Sequence, residues 1–321
     1  MTGLPSWLTP IELPMPATMG RVNVYLIRGP RGAALVDTGM NDASSRKELV
    51  RALGALGLGL ADLGTVVCTH HHADHAGLGL TLGKAGATML MSAADAESIR
   101  LFFGDPGLDS MRATFYGRHE VPADFEERVA PMFPFFRSLS EDFAPSLTVE
   151  DGESLDLGGV PLEVVLTPGH TLGHLCLVSR EAGLVLTGDH ILAGEATHAS
   201  MRPETEGTDP LGEFLASIRR VEALGLPLGL PGHGLPITDL PARARQLAAH
   251  HEKRLGDMLA ALSDEPRTAF DLGERVFGVR KKPFLRWLSM SQALACLTHL
   301  AALGKAEEIQ GGRGLVYRRT T

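Results

Sequence analysis

The stretch Thr69-His70-His71-His72-Ala73-Asp74-His75 gathers four metal-type donors, His70, His72, Asp74 and His75, within six residues. His70 and His72 lie two apart where the apolar run Val66–Thr69 ends, so extended backbone turns both rings the same way. Asp74 and His75 follow where the chain enters a helix and can turn toward a neighbouring point. Imidazole and carboxylate donors at this density suit zinc or another first-row divalent cation. Three later donors repeat the context. His170 follows the apolar run Leu162–Leu166 within Thr167-Pro168-Gly169-His170, Asp189 follows Leu186-Thr187-Gly188, and His233 sits in Pro231-Gly232-His233-Gly234. Each leaves an apolar strand among glycines, where backbone can fold closely around an ion. A pair of such cations lowers the pKa of a shared water from about 15.7 towards about 7. Asp74 can orient that water or take its proton. No Ser-His-Asp arrangement or reactive Cys motif offers a competing mechanism. The chemistry read is hydrolysis, with the bond left open.

The elements that must hold these residues alternate β and α signals in the first half. Val22–Arg28 and Ala33–Asp37 read as strands joined by a Gly-Pro-Arg-Gly turn. Asn41–Leu56 has helical spacing behind an Asn or Asp cap. A short helix is expected near Ala76–Lys84, a strand at Ala87–Met91 and a helix at Ala93–Phe103. Residues 147–188 carry short alternating runs broken by glycine turns, which predicts a mostly antiparallel sheet. Pro210–Leu224 reads as a helix and Leu228–Gly234 as a strand entering a loop. The chain therefore passes twice through strands whose carboxyl ends carry His and Asp. That predicts two sheets packed face to face with helices outside, an α/β protein of αββα sandwich form.

Residues 99–145 break this rhythm with nine aromatic residues and several prolines, and are expected to form a helical lid or a dimer surface. After Pro241 the spacing turns helical to Leu262. A helix at Thr268–Phe277 follows, N-capped by Thr268, then one at Ser291–Leu303, then two strands across Gly-Gly-Arg-Gly. That order is a winged helix. The expected division is a catalytic domain at 1–240, with its insertion at about 99–145, and a small C-terminal winged-helix domain at 241–321.

Composition bounds these readings. Of 321 residues, 44% are apolar and 21% charged, an ordinary globular balance. No apolar run approaches the ~20 residues that span a bilayer, so no membrane association is expected. The start, MTGLPSWLTPIELPMP, lacks a basic segment leading into an apolar one, and no secretory signal is expected. Cys68, Cys176 and Cys296 each lie in an apolar run, which fits a reducing, cytoplasmic setting. The net charge of −8 is uneven. Residues 241–321 carry 14 basic against 8 acidic side chains, and residues 1–240 carry 16 against 30. The acidic body argues against general nucleic-acid binding, although the tail could meet a polyanion.

The ordered pattern His-X-His-X-Asp-His, Pro-Gly-His-Thr, Thr-Gly-Asp and Gly-His-Gly resembles the metallo-β-lactamase superfamily over about residues 20–235. Val36-Asp37-Thr38-Gly39 resembles its leading Asp motif. The resemblance implies the four-layer αββα fold and two divalent metal ions, zinc first, with iron or manganese as alternatives. It implies that His70, His72 and His170 hold one ion, that Asp74, His75 and His233 hold the other, and that Asp189 bridges them. Asp37 would act behind the ligands, His71 would point away, and His174 and His190 would be supporting or structural. The family's β-lactamase branch commonly departs from this pattern around Asp74 and Asp189. Both carboxylates are present here, as in glyoxalase II-like and nuclease-like branches, so no antibiotic-resistance role is expected. From about His250 the chain loosely resembles the winged-helix extension of β-lactamase-like proteins, some of which are endoribonucleases.

The expected function is hydrolysis of an ester, thioester or lactone of a small molecule, with the Phe-rich insertion covering an apolar group. A phosphodiesterase or endoribonuclease is the alternative, resting on Arg280-Lys281-Lys282, Arg313 and RNA contact through the C-terminal region. A mononuclear iron sulfur dioxygenase and a non-enzymatic regulator stand behind these, because the donor set is complete for two ions. A homodimer is a further expectation.

Overall fold

Strands apolar on both faces build the centre of the molecule. The first sheet runs in chain order: β1 (Leu8–Pro14), β2 (Arg21–Gly29), β3 (Gly32–Val36), β4 (Leu63–Val67), β5 (Thr88–Ser92) and β6 (Leu147–Val149). Its first three strands are antiparallel and the rest parallel. The second comprises β7 (Ser154–Leu157), β8 (Val160–Leu166), β9 (Leu175–Ser179), β10 (Leu184–Gly188) and β11 (Leu228–Pro231), ordered β11-β10-β9-β8-β7. Only β10 and β11 pair in parallel. The computed structural model describes residues 3–16, 19–104, 107–194 and 197–320, with side chains at all of these but 107–110. Asp105 and Pro106 of the aromatic-rich insertion lie outside the described residues.

Alternation along each strand decides the layers. Tyr25 and Ile27 of β2, Val36 of β3 and Val67 of β4 face the second sheet's Leu162, Val164, Leu177 and Leu186 in one buried cluster. The other faces of the same strands, through Val24, Leu26, Leu35 and Val66, receive Leu49 and Leu53 of α1 (Ala43–Ala55). Helices α2 (Ala73–Ala76), α3 (Gly79–Lys84) and α4 (Ala93–Gly104) complete that layer. Each fully buried Leu or Val contributes about 1.5–3 kcal/mol relative to exposure, so a one-residue slip would be costly. Asp42 caps α1 by accepting from the Ser44 and Ser45 amides.

The insertion folds as α5 (Gly107–Arg118), α6 (Ala123–Val129) and α7 (Met132–Ser138). The chain then supplies α8 (Pro210–Ala223), α9 (Leu240–Ala261), α10 (Ala269–Phe277), α11 (Pro283–Ala302) and the hairpin β12 (Ala306–Gln310)–β13 (Leu315–Arg319). Thr268 caps α10 through the Asp271 amide. One apolar cluster joins the second sheet's outer face (Val165, Val185) to Phe214 of α8, Leu247 of α9, Leu294 of α11 and Phe125 of the insertion.

Three local expectations need correction. Strand β1 is not expected from the sequence, because Pro10 and Pro14 interrupt it; it is an edge strand, where a missing amide is tolerated. The last helix begins at Pro283 rather than Ser291, with proline at its first turn, where the lost N–H costs nothing. The helix expected near Ala76–Lys84 is two short helices, α2 and α3.

The topology explains why distant motifs meet. Strands β3 and β4 are parallel, and β8 and β10 share one direction because both oppose β9, while β11 follows β10. Hence the carboxyl ends of β3, β4, β8, β10 and β11 release their loops at one end of the sandwich. Hydrogen bonds from Leu175 N to Thr69 O (2.9 Å) and from Asn23 N to Gly232 O (2.7 Å) tie the two sheets there.

Candidate metal centre

The segment after β4 contributes four donors and those after β8, β10 and β11 one each; two triads form, and Asp189 makes a third group with His70 and His75. In the first, His72 Nδ1 stands 2.9 Å from His70 Nε2 and 3.1 Å from His170 Nε2. In the second, His233 Nε2 lies 3.1 Å and His75 Nε2 3.7 Å from Asp74 Oδ2. The donor atoms of each triad lie within 4.8 Å of one another. Asp189 stands between them. Its Oδ1 is 3.4 Å from both His75 Nε2 and His233 Nε2, and its Oδ2 is 3.8 Å from His170 Nε2.

These donors fit divalent cations on two observations. Three imidazole nitrogens converge with no carboxylate among them, an arrangement that a shared positive ion relieves. In addition, His75 Nε2 and Asp189 Oδ1 are buried and make no hydrogen bond within the protein. Buried polar atoms ordinarily find partners, and here both aim at the middle of the site.

A surrounding set of hydrogen bonds fixes which nitrogen each ring presents. His75 Nδ1 is 2.8 Å from Asp37 Oδ2, so its proton sits there and Nε2 faces inward. Asp37 Oδ1 also accepts the Thr69 amide (2.7 Å), and Thr69 Oγ1 lies 3.1 Å from His70 Nδ1. Asp37 has a positive φ of 63°, a conformation that costs a non-glycine residue and is held here by these bonds. His170 Nδ1 faces His198 O (3.2 Å) and His233 Nδ1 faces Arg21 O (2.7 Å). His174 Nε2 accepts the Asp189 amide at 3.1 Å while its Nδ1 meets Thr167 Oγ1 at 2.7 Å. Gly232 is required by space, since a Cβ there would lie 2.6 Å from Asp189 Oδ1.

The seven residues singled out as ligands from sequence, and Asp37 behind them, are thus brought together. His71 turns to Asp95 (3.2 Å). His190 is buried edge-on against Phe214 and takes no place among the donors. Sequence reading missed Arg202, whose Nη1 is 2.8 Å from His72 Nε2, and the carbonyl of His198. Neither adjoins a motif; the first is 130 residues from its partner. Thr69 carried a signal, standing just after β4 and directly before His70.

The electrostatics differ across the centre. Burial holds the imidazoles of His70 and His72 well below their usual range, with neighbouring imidazoles and, for His72, Arg202 adding to the effect. Burial likewise lowers His170 to about 4. Burial opposes charge on His233 and His75 too, but Asp189 and Asp74 outweigh it. His233 is raised to about 10, and His75, with Asp37 helping, well above its ordinary value. Burial pushes the Asp189 and Asp74 carboxyls up, and His75 and His233 more than reverse this, so both stay ionised.

An αββα sandwich whose strand ends pool two donor triads around a shared aspartate defines a metal-dependent hydrolase fold. The chain belongs to the metallo-β-lactamase superfamily, whose family model matches residues 17–233. It is 28% identical to the probable metallo-hydrolase YqjP of Bacillus subtilis (strain 168) over 307 residues, covering 91% of each chain. The crystal structure of the metallo-beta-lactamase family protein TTHA1429 from Thermus thermophilus is similar at TM-score 0.86 and 31% identity, covering 98% of this chain and 99% of that one. A beta-lactamase domain protein from Burkholderia ambifaria shares the fold at TM-score 0.86 and 22% identity, covering 98% and 93%. The protein is accordingly a hydrolase with a His/Asp cluster able to bind metal. Among the described residues, no helix is long and apolar enough to cross a membrane.

Proposed function

We propose that the protein hydrolyses an ester, thioester or lactone of a small molecule, using two divalent cations, zinc in the first instance, held by the seven donors. The observation that carries this is Asp189, whose two oxygens face the two triads separately, at 3.4 Å and 3.8 Å. His70, His72 and His170 would hold one cation and Asp74, His75 and His233 the other. When bound, the pair supplies a hydroxide at neutral pH and polarises the carbonyl. The protein's own groups do the rest. Asp37 keeps the His75 proton on Nδ1, the Thr69 hydroxyl and the His198 and Arg21 carbonyls orient their rings, and the Asp74 carboxylate orients the attacking water and accepts its proton.

A small-molecule substrate is supported by the wall beside the first triad. Arg202 leads from His72 to Trp287, with its Cζ 5.8 Å from that ring's centroid. Phe133 and Phe284 lie beyond at 6.2 and 6.0 Å, so an apolar surface adjoins the donors. The test is turnover of a thioester, a lactone, an aryl ester, a bis-aryl phosphodiester and a short RNA by protein of measured metal content. Hydrolysis of one of the first three is expected. Cleavage of RNA with none of the acyl compounds turned over would overturn the assignment.

A further inference from the structure

The segment after β10 carries a cation that the hydrolytic chemistry does not use. Arg202 is fixed at its backbone, where its amide meets Thr205 Oγ1 at 2.8 Å ahead of the turn Pro203–Thr205. Its side chain is 17% exposed, and its Nε is buried without a hydrogen bond. Among the described residues, the carboxylate recorded nearest is Glu204, 4.0 Å from Nη1, at the outer limit of an ion pair. The close contact is instead to an imidazole, His72 Nε2 at 2.8 Å.

That contact cannot serve a loaded centre. His72 turns Nδ1 toward His70 and His170, so Nδ1 is the atom that would meet a cation. A neutral imidazole bound through Nδ1 keeps its proton on Nε2, and a guanidinium has only donors. Two donors would then face each other at 2.8 Å, and Arg202 must turn to another acceptor. A largely buried guanidinium whose recorded carboxylate, Glu204, stands 4.0 Å away is poorly neutralised, whereas a carboxylate at contact gives it a bidentate pair.

The neighbours define what that anion is attached to. Trp287 forms the surface under Arg202, and its ring is held by donation from Nε1 to Tyr116 Oη at 2.9 Å. Phe284 stacks on Trp287 at 25° and meets Phe136 at 5.8 Å, while exposure rises from 9% at Trp287 to 41% at Phe284. An apolar surface therefore runs from Arg202 out to solvent.

We propose that Arg202 and Trp287 form a substrate subsite that receives a carboxylate joined to an apolar, preferably aryl, body. The subsite belongs to the acyl-hydrolase reading given above and adds that the preferred substrates are anionic. Arg202 is a specificity residue and does not take part in bond breaking.

Two arms separate this inference from the hydrolase assignment. The first needs no turnover. Metal-loaded full-length protein is titrated with 3-phenylpropionate and its neutral isostere 3-phenylpropionamide by calorimetry. The carboxylate is expected to bind about tenfold or more tightly, the worth of one charge-assisted hydrogen bond. R202Q should lose that preference with unchanged metal content, and R202K should keep part of it. No preference in the wild-type protein, or a preference retained by R202Q, overturns the proposal. Loss of metal from R202Q overturns it as well, since Arg202 would then serve His72. The second arm compares p-nitrophenyl hydrogen glutarate with p-nitrophenyl butyrate. R202Q should raise KM for the first ester about tenfold more than for the second; an equal effect on both contradicts the subsite. If neither ester is turned over, the hydrolase reading suffers and the calorimetry still decides Arg202.

Discussion

The two triads of the centre have the same number of donors and opposite electrostatics. His70, His72 and His170 are imidazoles that burial keeps neutral, whereas Asp74, His75 and His233, with Asp189 against them, form a network of paired charges. The first takes a cation without net loss of protons, once the His72 proton moves to Nε2 and Arg202 turns away. The second holds protons on His75 and His233, which a cation has to displace. One centre thus combines a half set by desolvation with a half set by charge pairing.

Removing the residue that joins the halves has the largest effect. Asp189→Ala should lower metal content at both triads and reduce kcat by about 10³-fold or more, the equivalent of several kcal/mol of charge stabilisation. Full activity in a two-metal Asp189→Ala protein would refute the bridging role. Next, His72→Ala and His233→Ala should each cost one metal equivalent by elemental analysis, and from different halves. Loss of both metals in each variant would show a single cooperative site and erase the contrast.

Acidity sharpens the contrast further. His233, near 10, and His75 are protonated at pH 7, so a cation entering there releases protons. Its affinity should rise by about tenfold per pH unit for each proton displaced. At the first triad, His170 lies near 4, so affinity there should stay flat above pH 5. Calorimetry in two buffers of different ionisation enthalpy counts the protons. Equal release from both halves contradicts the account. The smallest effect is at Asp37→Asn. It should weaken the second metal most, by about 10–100-fold, through loss of the partner of His75 Nδ1, with a smaller effect on the first through Thr69 and His70.

What could be read from sequence follows the same division between local and long-range causes. The donors were legible because each ends an apolar strand beside a glycine or within one tight motif, so chemistry and position are encoded together. The two-sheet sandwich was legible from strand alternation, as was the Thr268 cap from its hydroxyl ahead of a helical run. Arg202 was not legible, because nothing near it in the chain signals that Met201 will pair with Ser291 and bring it over Trp287. The insertion was expected to be helical, but its division into three helices was not legible, because prolines at 122, 131 and 134 conceal helices held by rings from α10 and α11, such as Phe270 against Phe125. The edge strand β1 was hidden by its own prolines.

The most direct test of the paired centre is an anomalous-difference map at the edge of the bound metal, from crystals of protein loaded with two equivalents of zinc. Two peaks about 3.5–4 Å apart are expected. One should lie about 2.0–2.2 Å from nitrogens of His70, His72 and His170, and the other at that distance from donors of Asp74, His75 and His233. Asp189 should reach both. A single peak, or peaks away from these seven side chains, would contradict the account.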